Sequence, residues 1–194
     1  MKRNLQQLAT VVAFLVVSWP GLTAQPTLVL DQQQPTIDSG VALAIGGESE
    51  QKLAQIVTAG VAGRLAEVWL PVGCASGTLV LEIQGVTPGG EPDGVVLKKR
   101  TFQASHLPAV LPPVLQQFRL GPSLRLAAGD RFAIVVSNPT GSCGLSPGPP
   151  GDSYGGGEAF FDARPNPPGW ELLILSGEVT TRDLAFQTFM VVHP

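Results

Sequence analysis

The sequence predicts an all-β fold, a β-sandwich or jelly roll with one long loop rich in glycine and proline. Three observations carry that prediction. Short apolar and β-branched runs recur along the chain, and the clearest has period two. Residues 78–84 put Leu79, Leu81 and Ile83 on one face and Thr78, Glu82 and Gln84 on the other, with Val80 as the exception. Turn residues punctuate these runs, and no sustained helical periodicity survives among the 23 glycines and 18 prolines. A hydrophobic fraction of 44% against 14% charged residues describes a packed chain rather than a disordered one.

Taken in order, the chain opens with Lys2 and Arg3, an apolar run of ten residues at 8–17, and a break at Pro20-Gly21. Such a run is too short to cross about 30 Å of hydrocarbon, which takes about 20 residues. Residues 1–24 therefore read as an export signal ending at Ala24, and residues 25–194 as a single exported domain, periplasmic, extracellular or at the cell surface. The mature form is expected to have no membrane span. Losing Lys2 and Arg3 takes the net charge from −3 to −5. With Lys98-Lys99-Arg100 as the one basic cluster, that balance argues against nucleic acid as a partner.

Residues 27–30 form a short apolar run before the polar Asp31-Gln32-Gln33-Gln34 and Pro35. Residues 51–58 read as a strand, because Gly60 and Gly63 would stop a helix within two turns. Residues 65–70 form a strand ended by Pro71, followed by a turn carrying Cys74. Residues 88–94 are dense turn chemistry, and the strand at 95–102 carries positive charges that suit a sheet edge. Residues 114–120 place Val114, Gln116, Phe118 and Leu120 on one face. The unbroken run at 131–136 reads as a central strand covered on both sides. Residues 170–175 are strand-like, and 183–192 form the closing strand.

Cys74 and Cys143 make an even count in a chain bound for an oxidising compartment, which favours a disulfide over two thiols or a zinc site. His106 and His193 stand at no ligand spacing from either cysteine.

Candidate chemistry concentrates in residues 141–170, where eight of thirty residues are glycine and six are proline. Gly144-Leu145-Ser146-Pro147-Gly148 and Gly151-Asp152-Ser153-Tyr154-Gly155 match the nucleophile-elbow pattern, but neither serine has the helix that an elbow needs behind it. Asp152, Glu158 and Asp162 could form a glycosidase pair, though aspartates in such a segment ordinarily bond turn backbone. The expectation is therefore a non-catalytic protein. Sugar recognition needs an aromatic platform with polar groups beside it. Tyr154 and Trp170 with Asp152, Arg164 and Asn166 are the right types within one loop. No cofactor is expected, and structural calcium is the one metal the pattern accommodates, with Asp183 as the named ligand beside Asp31 and Asp152.

Leu30-Asp31-Gln32, Gly63-Arg64-Leu65, Ala128-Gly129-Asp130-Arg131-Phe132 and Asp183-Leu184-Ala185-Phe186 carry a resemblance. In their order, with the Gly141-Ser142-Cys143-Gly144 segment, the chain resembles a family of exported bacterial β-sandwich domains similar to carbohydrate-binding modules. Ile56-Val57 departs from it where an aromatic is expected. That family has no settled activity, so the resemblance implies architecture and export. Two readings follow: a binding module for a polysaccharide or cell-surface glycan, and a self-associating structural subunit.

Overall fold

The computed structural model describes residues 25–112 and 114–193. The segment read as an export signal, 1–24, lies outside the described residues. Among the described residues the chain is all-β, with a single 3₁₀ turn at Ala104–His106 and no helix long and apolar enough to cross a membrane.

Two antiparallel sheets face each other. The first runs β1 (Thr27–Gln34), β15 (Phe186–Val192), β4 (Gly63–Leu70), β8 (Gln116–Leu126). The second runs β13 (Glu171–Leu172), β12 (Ala159–Asp162), β3 (Lys52–Thr58), β9 (Arg131–Ser137), β6 (Thr78–Val86), β7 (Pro92–Gln103). Period-two alternation sends one set of side chains between the sheets. Leu53 and Val57 of β3, Phe132, Ile134 and Val136 of β9, and Leu65, Val68 and Leu70 of β4 are all buried there. The alternate residues of the second sheet, Ala54, Ile56, Ala133 and Val135, form a separate apolar cluster on its outer face with Phe160. The run at 131–136 is thus a central strand buried on both sides, as its composition predicts. The positively charged strand is the outermost strand of its sheet.

Two smaller sheets lie beside these. β2 (Leu43–Gly46), β10 (Ser142–Leu145) and β5 (Val72–Cys74) form one, in which Cys143 stands directly opposite Cys74 and the two are joined by a disulfide. Tying residues 69 apart in sequence stabilises the fold by about 4 kcal/mol in the chain-entropy model. β11 (Pro147–Pro150) and β14 (Arg182–Leu184) form the other.

The structure differs from the sequence-based expectation in several elements. The stretch 141–170 is not one open loop, because it contributes β10, β11 and β12. Proline has no N–H to donate, so β11 pairs irregularly, with Pro147 opposite Leu184 and Pro150 opposite Arg182 across a bulge. The predicted closing strand is likewise split into β14 and β15, which join different sheets. Cys74 lies in a strand rather than a turn. Val114 is exposed and precedes its strand, and only Glu171–Leu172 of residues 170–175 is paired.

Candidate functional site

The stretch 141–170 divides into two parts with different surroundings. The first is built on Asp183, at the junction between β11, β14 and β3. Asp183 is buried, and donors fill its carboxylate. Oδ2 accepts from the backbone N–H groups of Ser153 and Tyr154, both at 2.8 Å, and from the Ser153 hydroxyl at 3.3 Å. Oδ1 accepts from Nε2 of Gln55 at 3.0 Å. Gln55 in turn accepts from the Leu184 N–H at 2.8 Å, which fixes β14 to β3. Donors surround this carboxylate, the reverse of the oxygen cage that calcium takes. Asp31 is similarly engaged, its Oδ1 accepting from the N–H groups of Gly60 and Val61, while Asp152 is exposed. Among the described residues no three His, Cys, Asp or Glu side chains are grouped to hold a metal ion.

Burial is the main cause that pushes the carboxyls of Asp183 and Glu158 above their ordinary range, with the Asp152 charge adding to it in both.

Tyr154 lies in the core, 8% exposed, with its ring edge-on to Phe186 at 5.0 Å between centroids. Its hydroxyl donates to Oε1 of Gln32 at 3.2 Å and accepts from the Thr58 N–H at 3.3 Å. A platform for a sugar needs an open ring face, and here the ring is spent on packing. Gly156 and Gly157 let this part of the chain lie against β3, since a Cβ on Gly157 would stand 2.5 Å from the Ile56 carbonyl oxygen. Ser153 has Asp183, not a histidine, as its hydroxyl partner, and Ser146 is buried between β10 and β11.

The second part is the connection between β12 and β13, residues 163–170, which carries Arg164, Asn166 and Trp170. Trp170 is half-buried and packs on the outer-face cluster of the six-stranded sheet, the rest of the indole staying at the surface. The Arg164 N–H donates to the Ser49 carbonyl at 2.8 Å, and its guanidinium pairs with Glu50 at 3.0 Å. Asn166 donates through Nδ2 to Glu171 at 3.0 Å, leaving its side-chain carbonyl available as an acceptor. The Arg164–Pro165 peptide is cis.

Arg164 and Asn166 border a polar pocket of about 130 Å³, lined also by Glu50, Lys52, Asp162 and Pro168. It adjoins a second, of about 230 Å³, that shares Glu50 and Lys52 and reaches Ser137, Asn138 and Pro139. Strand register assembles it. Asp162 stands opposite Lys52 across β12 and β3, and their side chains pair at 3.1 Å. Exposed pairs of this kind contribute at most about 1 kcal/mol, so Lys52, Asp162, Glu50 and Arg164 can exchange partners with ligand hydroxyls at small cost.

Of the five residues predicted to contact a ligand, the structure gathers Arg164, Asn166 and Trp170 in one connection, and sets Asp152 and Tyr154 in the other part. Sequence reasoning did not reach Lys52 and Glu50. Lys52 opens β3 and Glu50 lies in the turn just before it, more than a hundred residues away, and only the β3–β12 register brings that end of β3 to the connection. Compared with protein-family models, curated proteins and solved structures, the chain shows no match, so the geometry of this site is the basis for any functional reading.

Proposed function

We propose that this protein is an exported, non-catalytic binding module that recognises a glycan, such as a polysaccharide or a cell-surface glycan, through the 163–170 connection. The observation that carries the reading is a surface tryptophan, Trp170, on the same short connection as Arg164 and Asn166, whose pocket is polar and already stocked with weakly held charges. An indole supplies a flat apolar surface for a pyranose ring, and the neighbouring amide and charged groups discriminate hydroxyls. The likeness to exported bacterial sandwich domains similar to carbohydrate-binding modules supports the same reading from the sequence side.

The test is a glycan array followed by calorimetric titration of the best ligand. Trp170→Ala and Arg164→Ala are expected to weaken binding at least about tenfold, the loss of one charged hydrogen bond or one stacking contact. Tyr154→Phe is expected to bind as the parent does. Wild-type affinity in both Trp170→Ala and Arg164→Ala would sink the proposal.

One observation favours the second reading, a self-associating structural subunit. The outermost strand β7 exposes Val95 (59%), Val96 (46%) and Leu97 (43%) in a row beside unpaired backbone. Such an edge can add a second copy by strand pairing, although Lys98, Lys99 and Arg100 further along it oppose indiscriminate pairing. Size-exclusion chromatography across a concentration series, run on the same samples, separates the readings. Oligomers that a Val96→Lys change disperses, with no glycan bound, would favour assembly.

A further inference from the structure

The outer face of the four-stranded sheet carries aromatic rings of its own, and strand register assembles them. Gln33, Gln187, Trp69 and Gln117 stand in one row across β1, β15, β4 and β8. Leu30, Phe189, Glu67 and Arg119 stand in the next. Directly opposed residues project to the same face of a sheet. Val68 and Phe118, which lie between the two rows on β4 and β8, are buried in the core, so both rows belong to the outer face. Gln33, Gln117, Leu30 and Arg119, at the ends of the rows, are exposed, so this face is open to solvent.

Trp69 and Phe189 occupy the middle of the face. Both are half-buried, with ring centroids 5.2 Å apart and planes inclined by 38°. The indole is held from within the face. Its Nε1 donates to Oε2 of the buried Glu67 at 3.0 Å, and Nε of Arg119 lies 3.9 Å from the other carboxylate oxygen. With its one polar group satisfied there, the indole offers solvent an apolar surface. The glutamines add what an apolar patch lacks. Gln187 donates to Gln33 at 2.8 Å, which leaves amide donors on Gln33 and a carbonyl acceptor on Gln187 for a ligand. A second copy of the chain is the other occupant such a face admits, and area argues against it. Four strands paired over about eight residues present roughly 19 Å by 26 Å, or about 500 Å². A stable dimer buries about 800 Å² on each partner. A slender chain is in scale with the face, because the row from Gln33 to Gln117 spans about 14 Å.

We propose that this face is a second glycan platform, on which an extended saccharide chain lies along the row from Gln33 to Gln117. One sugar ring packs on the indole of Trp69 with Phe189 beside it, and hydroxyls bond to the glutamine amides. The platform lies on the opposite side of the sandwich from the 163–170 connection and does not depend on it. A protein with both sites bridges two glycan chains.

The test is an NMR titration of the full chain with two extended β-linked chains, cellohexaose and chitohexaose, in separate arms and glucose as the monomer control. Backbone amides, glutamine side-chain amides and tryptophan Nε1–H signals are followed. At least one hexasaccharide is expected to give saturable shifts at the Trp69 Nε1–H and at residues 67–69, 117–119 and 187–189, while shifts at 163–170 report the other site separately. Trp69→Ala is expected to weaken binding at the first set at least about tenfold, the loss of a stacking contact. Gln117→Ala, an exposed position whose replacement leaves the core intact, is expected to weaken it about threefold. Saturable shifts at this face alone would support the platform and remove the 163–170 site. Shifts confined to 163–170 would overturn the platform while the 163–170 reading stands. Shifts no larger than with glucose, or an affinity unchanged in both variants, would overturn it as well. So would ligand-free shifts at 67–69 and 187–189 that grow with protein concentration, which would give the face to a second copy.

Discussion

Tyr154 and Trp170 sit sixteen residues apart in one glycine- and proline-rich stretch, and the structure treats them in opposite ways. The segment around Tyr154 is pinned from below. Asp183 accepts its backbone N–H and that of Ser153, and Gln55 ties Asp183 into the central strand β3. The segment around Trp170 is held only at its margins, by the Arg164 N–H on Ser49 and by pairing of Glu171–Leu172 with β12. The first segment has spent its polar groups on the protein, so its aromatic ring joins the core. The second has kept its polar groups in exposed, exchangeable pairs, so its aromatic ring stays at the surface. Composition alone does not separate a structural loop from a recognition loop, whereas the fate of its polar groups does.

Removing the anchor is the most severe way to break this contrast. Asp183→Ala leaves the buried Tyr154 N–H and the Ser153 N–H without their acceptor and removes the link to Gln55. It is expected to lower stability by about 3 kcal/mol and Tm by roughly 6–12 °C. Denaturant unfolding measures it, and a loss below about 1 kcal/mol would mean that the carboxylate does not hold this segment. The anchoring ring itself gives a finer comparison. Tyr154→Phe keeps the edge-on packing against Phe186 but deletes the hydrogen bonds to Gln32 and Thr58. The expected loss is about 1 kcal/mol, with glycan affinity unchanged.

The smallest effect is a pH dependence of opposite sign in two clusters. Arg182 is buried and held by Glu178, by Asp38 at 2.7 Å and by the Gly148 carbonyl at 3.0 Å, tying three separate segments together. Its hydrogen bonds lower the carboxyl pKa values of Asp38 and Glu178. Their stabilisation is therefore present above their unfolded values of 3.8 and 4.5 and is lost as pH falls through and below them. Asp183 and Glu158 are raised instead, so in the folded state they take up protons at higher pH than in the unfolded chain. The stability they contribute falls as pH rises from their unfolded values through the folded ones. Acidifying from neutrality towards the unfolded values of these two carboxyls is thus expected to stabilise the protein slightly, with a decline once Asp38 and Glu178 protonate. Glu158→Gln should shrink that rise, and isothermal denaturation at each pH would show it. An identical profile in the variant would remove Glu158 from the account.

Much of the fold is legible in the amino-acid sequence. The alternation at 78–84, the continuous β-branched run at 131–136 and the charged edge at 95–102 each encode a local environment, because side-chain period and burial are linked directly in a strand. The cysteine pairing is legible for a different reason: only two candidates exist. The candidate site is legible in part. Arg164, Asn166 and Trp170 are identifiable as a cluster because they share one short connection, whereas Lys52 and Glu50 carry no signal that relates them to it.

Local periodicity, turn chemistry and residue count are enough to set the all-β class, the central and edge strands and the disulfide. Long-range packing settles which glycine- and proline-rich segments become strands and which of two aromatics is buried. It also settles which charged residues converge, as Lys52 meets Asp162 and Arg64 meets Arg125. These depend on register between strands distant in the chain, where a shift of one residue would turn every side chain to the other face.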